Sequence, residues 1–411
     1  MKKLLLVAFL PLTLFSQTYD VLFLGNSYTA SNNLPMMISE IALSFGDTIN
    51  YDSNTPGGFT LQSHATNPNS LSKISQQNWD FVVIQAQSQE PSFPPNQVAS
   101  QTYPYAQILI DSIASNNSCT EPIFFMTWGR KNGDAANAVN YPILGTYLGM
   151  QWRLRQSYIE MGNLHEATIS PVGISWKNSI LTNPSFDLYT VDESHPNSAG
   201  SYLAACTFYS TLFNKSCLGS SYYPASLSYS DATYLQNVAS STVLDSTFIW
   251  NMFDIQSIYA AGDISFDFFS ETSNADSIYW DFGDGSVSTD ENPTYTYLNF
   301  GVEYDVVFKA FSNGGCRILT DTIQIYTQIP ESVGNLEGIS VYPNPVNDYL
   351  FLDYPNLISA SIYTFKGQKI LDIENDQIID PIDLKELTKG VYILNIQRTD
   401  SHNQQIKILK K

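Results

Sequence analysis

Two short strings, far apart in the chain, hold the residues best suited to chemistry. Gly25-Asn26-Ser27-Tyr28 directly follows an apolar run, and Asp192-Glu193-Ser194-His195-Pro196 directly precedes a helical pattern. A serine hydroxyl is a weak nucleophile until a base takes its proton, and an imidazole serves as that base when a third group sets its tautomer. Ser27, His195 and Asp192 supply the three groups, and the chain has only four histidines to draw on. Attack on an ester carbonyl further needs hydrogen-bond donors fixed in advance around the developing oxyanion.

The elements around these strings are of the kind that brings such groups together. From Tyr19 to about Trp250, short apolar strands alternate with longer helical segments, the pattern of a parallel sheet covered on both faces. Strands are expected at Asp20 to Leu24, Ile49 to Asp52, Phe81 to Ile84, Pro122 to Thr127 and Ala167 to Ile169. Leu34, Met37, Ile38, Ile41, Ala42 and Phe45 recur at helical spacing behind Pro35. Later helices are expected over Asn96 to Ser115, Tyr141 to Met161, Ser198 to Phe213 and Ser230 to Leu244. Ser27 then lies at the carboxyl end of the sheet, where open α/β folds bind ligands. Pro196 keeps His195 out of helical geometry, and Asp192 on the same loop can curl back onto the imidazole. Gly25 is expected to allow a tight turn that leaves the Ser27 hydroxyl and N–H open.

With those residues placed, the segment Tyr19 to Trp250 resembles the SGNH, or GDSL, hydrolases. Gly25-Asn26-Ser27 corresponds to the nucleophile block, with Asn26 where the family usually has Asp, and Asp192-Glu193-Ser194-His195-Pro196 with Ala199 to Cys206 corresponds to the last block. The resemblance implies a flavodoxin-like three-layer sheet and ester hydrolysis through an acyl-serine intermediate, with no cofactor. It also implies two further oxyanion donors. Pro56-Gly57-Gly58-Phe59 fits the glycine block, with Gly58 as the backbone donor beside Ser27 N–H. Where the family has an asparagine after the third strand, this chain has Gln85-Ala86-Gln87-Ser88-Gln89; by position Gln87 takes the role, with Gln85 the alternative. Asn26, Gln85, His64, Trp128 and Trp176 are further candidates for contact with substrate, the two indoles as platforms for a sugar ring, with core packing the favoured reading for both indoles and a surface position the favoured one for His64. Arg130, Lys131 and Asp134 are assigned to a substrate-side loop.

After about Ile255 the pattern turns to short strands and turn residues. Tyr279-Trp280-Asp281-Phe282-Gly283-Asp284-Gly285, Asn292 to Tyr297 and Gly301 to Val306 resemble a PKD domain, which implies an immunoglobulin-like β-sandwich. Val341-Tyr342-Pro343-Asn344-Pro345, Phe365 to Gln368, Leu387 to Tyr392 and Lys407 to Lys411 resemble the C-terminal sorting domain of type IX secretion. The organisation read from the sequence is an export signal over residues 1–17, a catalytic α/β domain over 18–254, a PKD-like sandwich over 255–328, a linker over 329–337 and a sorting domain over 338–411.

Composition narrows the partners. A formal net charge of −20 offers no basic stripe to phosphates, which excludes nucleic acid as the expected partner. Lys2, Lys3 and the apolar run Leu4 to Phe15 read as an export signal, with no membrane-spanning stretch in the mature chain. No His or Cys cluster has metal-ligand spacing. Of the four cysteines, Cys206 falls in a helical pattern as a small core residue, and Cys119 with Cys217 is the expected disulfide. The expected partners are the type IX secretion machinery and an ester substrate, a short acyl group, acetyl first, on a carbohydrate or related extracellular polymer. A lipid or aryl esterase with the same triad, or a surface glycan-binding adhesin, are the alternatives.

Overall fold

The computed structural model describes residues 16–262, 265–299, 301–327, 340–353, 357–364, 368–374, 381–398 and 403–411. The expected export signal, apart from its last two residues, and the expected linker lie outside these. The described chain forms two compact units: residues up to 258 with 269–291 and 306–323 in one, and 259–268, 292–305 and those from 324 onward in the other.

In the first unit, β1 (Thr18–Leu24) leads through α1 (Ser27–Ala30) and α2 (Leu34–Ser44) to β2 (Thr48–Asn54). Then α3 (Leu61–Thr66) and α4 (Pro68–Ile74) precede β3 (Phe81–Ile84), and α5 (Pro95–Gln101) and α6 (Tyr103–Asn116) precede β4 (Glu121–Phe125). After α7 (Ala135–Ala138) and α8 (Tyr147–His165) come β5 (Thr168–Ser170), α9 (Val172–Thr182), α10 (Ser198–Phe213) and α11 (Tyr229–Leu244). The five strands are parallel and ordered β2-β1-β3-β4-β5, the flavodoxin-like winding.

Both faces of the sheet are covered, which is why its strands read as continuous apolar runs. Along β1, Val21 and Phe23 pack with α2, α9, α10 and α11, while Leu22 and Leu24 pack on the opposite face with α3, α6 and α8. Helix α10 is buried over almost its whole length. Its apolar residues therefore show no polar stripe, and its placement follows from Asn197, whose side chain caps it by accepting from Gly200 N–H at 3.0 Å.

The expected helix over 96–115 is two helices. Pro104, near the start of α6, cannot continue the hydrogen-bond ladder of α5, and the break falls at Thr102. Five helices have no counterpart among the expected ones. Of these, α1 and α7 have four residues each, α3 and α4 are short pieces of six and seven residues capped by Thr60 and Asn67, and α9 carries Gly173 in its first turn, where a Cβ would lie 2.1 Å from Thr127 O.

The expected Cys119–Cys217 disulfide does not form; Cys119 is bonded to Cys316, and Cys206 and Cys217 are free and buried. Cys217 lies against α11, its thiol directed to Gln236 O at 3.3 Å, whereas Cys119 is in the turn before β4 at the amino edge of the sheet. Arg317, next to Cys316, pairs with Glu121 at the same edge.

All strands after α11 belong to antiparallel β structure. Residues 254–326 contribute sheets ordered β10-β7-β6 and β12-β11-β8-β9, made of β6 (Asp254–Gly262), β7 (Ser265–Ser273), β8 (Ser277–Asp281), β9 (Val287–Ser288), β10 (Thr294–Thr296), β11 (Glu303–Ser312) and β12 (Arg317–Tyr326). Trp280 and Phe282 are buried, and the Asp281 and Asp284 carboxylates cap the intervening turn by accepting from Gly283 and Ser286 N–H. In the second unit, residues 340–411 form sheets of three and four strands around Val346, Leu350, Ile362, Leu394, Ile396 and Ile408. Among the described residues no helix is long and apolar enough to cross a membrane.

Candidate active site

The loops at the carboxyl ends of β1 to β4 carry Ser27, Gly58, the glutamines of 85–89 and Arg130 to one edge of the sheet, and the segment between α9 and α10 brings His195 to the same edge. His195 Nε2 lies 2.9 Å from Ser27 Oγ, and His195 Nδ1 lies 2.5 Å from Asp192 Oδ2. The carboxylate fixes the tautomer with the proton on Nδ1, which leaves Nε2 as the acceptor for the serine proton.

A small hairpin holds the histidine loop. Tyr189 and Pro196 form an isolated antiparallel bridge, with Thr190 N–H donating to His195 O at 2.8 Å and Asn197 N–H to Leu188 O at 2.9 Å. Within it Glu193 adopts left-handed geometry, and Asp192 Oδ1 accepts from Thr190 Oγ1, Ser194 N–H and His195 N–H at 2.7, 3.0 and 2.9 Å. Burial alone would raise the Asp192 carboxyl, but the His195 N–H, Thr190 hydroxyl, imidazole and Ser194 N–H hold it well below the usual carboxylate range. One oxygen shapes the loop while the other orients the base.

The serine loop is anchored from behind. Gly25 and Asn26 alone turn the chain from β1 into α1, and Gly25 does so without left-handed geometry. Its role is space: a Cβ there would meet Thr29 Oγ1 at 2.4 Å and Gln85 Oε1 at 2.7 Å. Gln85 is fully buried, and its Oε1 accepts from Asn26 N–H and the Thr29 hydroxyl at 3.0 and 2.8 Å, while its Nε2 donates to Asn26 Oδ1 and Ala86 O, both at 2.8 Å. Both ends of its amide are thus engaged, so Gln85 is no donor to an oxyanion. Asn26 is also buried, and contacts protein rather than substrate: its Oδ1 caps α1 at Tyr28 N–H, and its Nδ2 donates to Phe59 O at 2.9 Å. That last bond fastens the glycine loop to the residue before Ser27.

Ser27 N–H is in the first turn of α1, where no intrahelical acceptor exists. Gly58 is exposed, with φ +72 and open space around its Cα. Gln87 is half-buried; its Oε1 accepts from Gln89 N–H at 2.7 Å and Glu90 N–H at 3.3 Å, and its Nε2 donates to Gln89 Oε1 at 3.3 Å. The carbonyl end is pinned and the NH2 end keeps a second hydrogen to give.

His64 neither lines a cleft nor sits on the surface. It is fully buried under the serine loop, with Nε2 2.9 Å from Gly25 O and Nδ1 2.8 Å from Ser70 Oγ, which in turn accepts from Asn54 Nδ2 at 2.7 Å. A carbonyl only accepts, so Nε2 carries the proton and Nδ1 takes the Ser70 hydrogen. Burial lowers the imidazole to about 4 and keeps it neutral.

Trp128 and Trp176 likewise offer no face to a sugar. Both are completely buried, stacked on each other at 4.0 Å, with Tyr28 stacked on Trp128 at 4.6 Å. Trp128 Nε1–H donates to Ser194 O at 3.0 Å, and the Tyr28 ring meets His195 edge-on at 5.3 Å. The stack is a rigid floor to the triad. Tyr28, to which the sequence reading gave no role, also bonds Ser194 Oγ at 2.6 Å, so the residue after Ser27 contacts the residue before His195. Asn32, equally unread, joins the two loops through Pro196 O and Ser201 Oγ. Of the loop after β4, Asp134 is buried and bonded to Gln89 and Asn137, and Lys131 pairs with Asp187 at 2.8 Å.

The fold and site together define a doubly wound α/β protein with a hydrogen-bonded serine, histidine and aspartate at its ligand-binding edge. Residues 340–411 match the family described as Secretion system C-terminal sorting domain. The chain is similar to a DUF4886 family protein from Bacteroides uniformis (19% identity, 56% of this chain and 95% of that one, TM-score 0.47) and to a putative SGNH hydrolase from Slackia heliotrinireducens (24%, 48% and 100%, TM-score 0.40). It is also similar to the PKD1 domain of Vibrio anguillarum Epp (22%, 19% and 94%, TM-score 0.17). A curated relative, beta-agarase D of Zobellia galactanivorans, is 28% identical over 113 residues, and the match spans 23% of each chain.

Proposed function

We propose that the chain is an exported serine esterase of SGNH type that removes a short acyl group, acetyl first, from a carbohydrate or related extracellular polymer. The observation that carries the reading is the unbroken line from Ser27 Oγ through His195 to Asp192, at 2.9 and 2.5 Å. Ser27 Oγ attacks the ester carbonyl as His195 Nε2 takes its proton, and Ser27 N–H, Gly58 N–H and the Gln87 amide receive the negative charge that builds on the carbonyl oxygen. The alcohol leaves with the proton from His195, giving an acyl-serine. Water, deprotonated by the same imidazole, then releases the acid and restores the hydroxyl.

The sorting domain at residues 340–411 supports export by type IX secretion to the cell surface or medium, and the PKD-like segment is of a kind suited to an extracellular polymer. The full-length protein should hydrolyse aryl acetate, and Ser27→Ala should abolish the reaction. Preference for long acyl chains would move the reading to a lipid esterase, and silence of the unaltered chain on every ester would move it to a glycan-binding adhesin. Acetylated polysaccharides then identify the polymer.

A further inference from the structure

Resting on the esterase reading, we infer that Arg130 recognises an anionic group, a carboxylate or a sulfate, carried by the acylated substrate. Arg130 follows β4 at the same sheet edge as Ser27, and its backbone is fixed against the loop that bears the base. Gly129 N–H donates to Gln151 Oε1 at 2.8 Å, Gly129 O accepts from Tyr189 OH at 2.6 Å, and Arg130 N–H points to Met150 Sδ at 3.3 Å. On its other side Lys131 N–H donates to Glu193 O at 2.9 Å, between Asp192 and His195 in sequence.

The guanidinium has no ion-pair partner among the described residues. The adjacent cation, Lys131, is paired with Asp187 at 2.8 Å. Among the described residues Arg130 makes no ion pair and no side-chain hydrogen bond, and its Nε is sealed from solvent without an acceptor. Its charge is felt at the Tyr28 phenol, beside the nucleophile, and at Asp134, whose oxygens are already taken by Gln89 and Asn137. A guanidinium with an unmatched donor, on a pinned loop at the same sheet edge as Ser27, matches a carboxylate or sulfate in two-point contact. The hydroxyls of a neutral sugar accept from it without compensating its charge.

The test compares acetylated methyl glucuronide, acetylated methyl glucoside and acetylated methyl glucoside sulfate as substrates of the full-length protein. The unaltered chain is expected to favour one of the anionic sugars over the glucoside, and salt should erode that preference. Arg130→Gln should lower the anionic-to-neutral ratio of kcat/KM by about 10- to 100-fold, chiefly through KM, with Arg130→Lys recovering part of it. Lys131→Gln, which removes a paired cation, should leave the ratio unchanged. The glucuronide and sulfate arms tell the two anions apart. Equal rates on all three sugars by the unaltered chain, or a ratio indifferent to Arg130→Gln, overturns the assignment while leaving the esterase intact. A chain inactive on these sugars and on aryl acetate overturns the esterase reading itself.

Discussion

Asn26 Nδ2 donates to Phe59 O across 2.9 Å, so the residue before the proposed nucleophile holds the loop that carries the proposed backbone donor, Gly58. The same side chain caps α1 through Oδ1 and is gripped there by Gln85. The turn at Ser27 and the glycine loop are thereby tied through a single amide.

Asn26→Ala removes the tie to the glycine loop and the cap of α1 together, while leaving the side chains of Ser27, His195 and Asp192 intact. Misplacement of a reacting group by about 1 Å costs about 100-fold, and a fall of that order in kcat on aryl acetate is expected. Asn26→Asp keeps the cap but sets a carboxylate oxygen against the Phe59 carbonyl, so it should recover less than half of the lost barrier energy. Recovery of full activity by the aspartate would separate the glycine loop from catalysis.

The two glutamines after β3 should part company when each is replaced by alanine. Gln87→Ala removes a proposed oxyanion donor and should raise the barrier by about 2.7 to 4 kcal/mol, lowering kcat with little change in KM or stability. Gln85→Ala strips the partner from Asn26 N–H and from the Thr29 hydroxyl in a sealed interior, each orphaned group costing about 1 to 3 kcal/mol, and leaves Asn26 Oδ1 with Tyr28 N–H alone. It should lower the denaturant midpoint of the first unit as well as activity. A Gln87→Ala protein with unaltered kcat would pass the role to water.

The contrast between these residues also explains what the sequence could convey. The parallel sheet was legible because strands buried on both faces must be apolar throughout, and Phe81–Ile84 and Ser198–Phe213 fall where the periodicity puts them. That Ser27, Asp192 and His195 lie together was legible because Ser27 follows a strand and Asp192 and His195 share one loop. What stayed hidden is burial. His64 read as a surface or cleft residue, and for Trp128 and Trp176 core packing, the favoured reading and the one found, stood beside a cleft position, because residue type does not say whether an imidazole or an indole N–H will find its acceptor inside; His64 finds Gly25 O and Trp128 finds Ser194 O. The disulfide was hidden for another reason. Cys119 meets a residue 197 positions away, a pairing that only tertiary structure sets.

Closing so long a loop should stabilise the first unit by about 5 kcal/mol on the chain-entropy scale. Cys316→Ser or reduction should therefore lower its denaturation midpoint markedly, whereas Cys217→Ser, at a free thiol, should not reproduce that loss. Peptide mapping of the oxidised protein should recover Cys119 joined to Cys316. Recovery of Cys119 joined to Cys217 would contradict the fold at this edge.

His64 gives the pH dependence its sign. Its folded value, about 4, lies below the ordinary 6.5, so the unfolded chain binds its proton first. The stability tied to the neutral imidazole is present above pH 6.5 and drains away as pH falls towards 4, by an amount on the order of 3 kcal/mol. His64→Gln lacks the titration, so the stability gap between it and the unaltered protein should narrow steadily over that interval in urea melts. Because Nε2–H holds Gly25 O directly before Asn26 and Ser27, aryl acetate turnover should also fall in His64→Gln at pH 8, where the histidine is neutral in both folded and unfolded chains. A gap that stays constant between pH 7 and 4 would mean that the buried ring does not titrate against the unfolded state as its surroundings require.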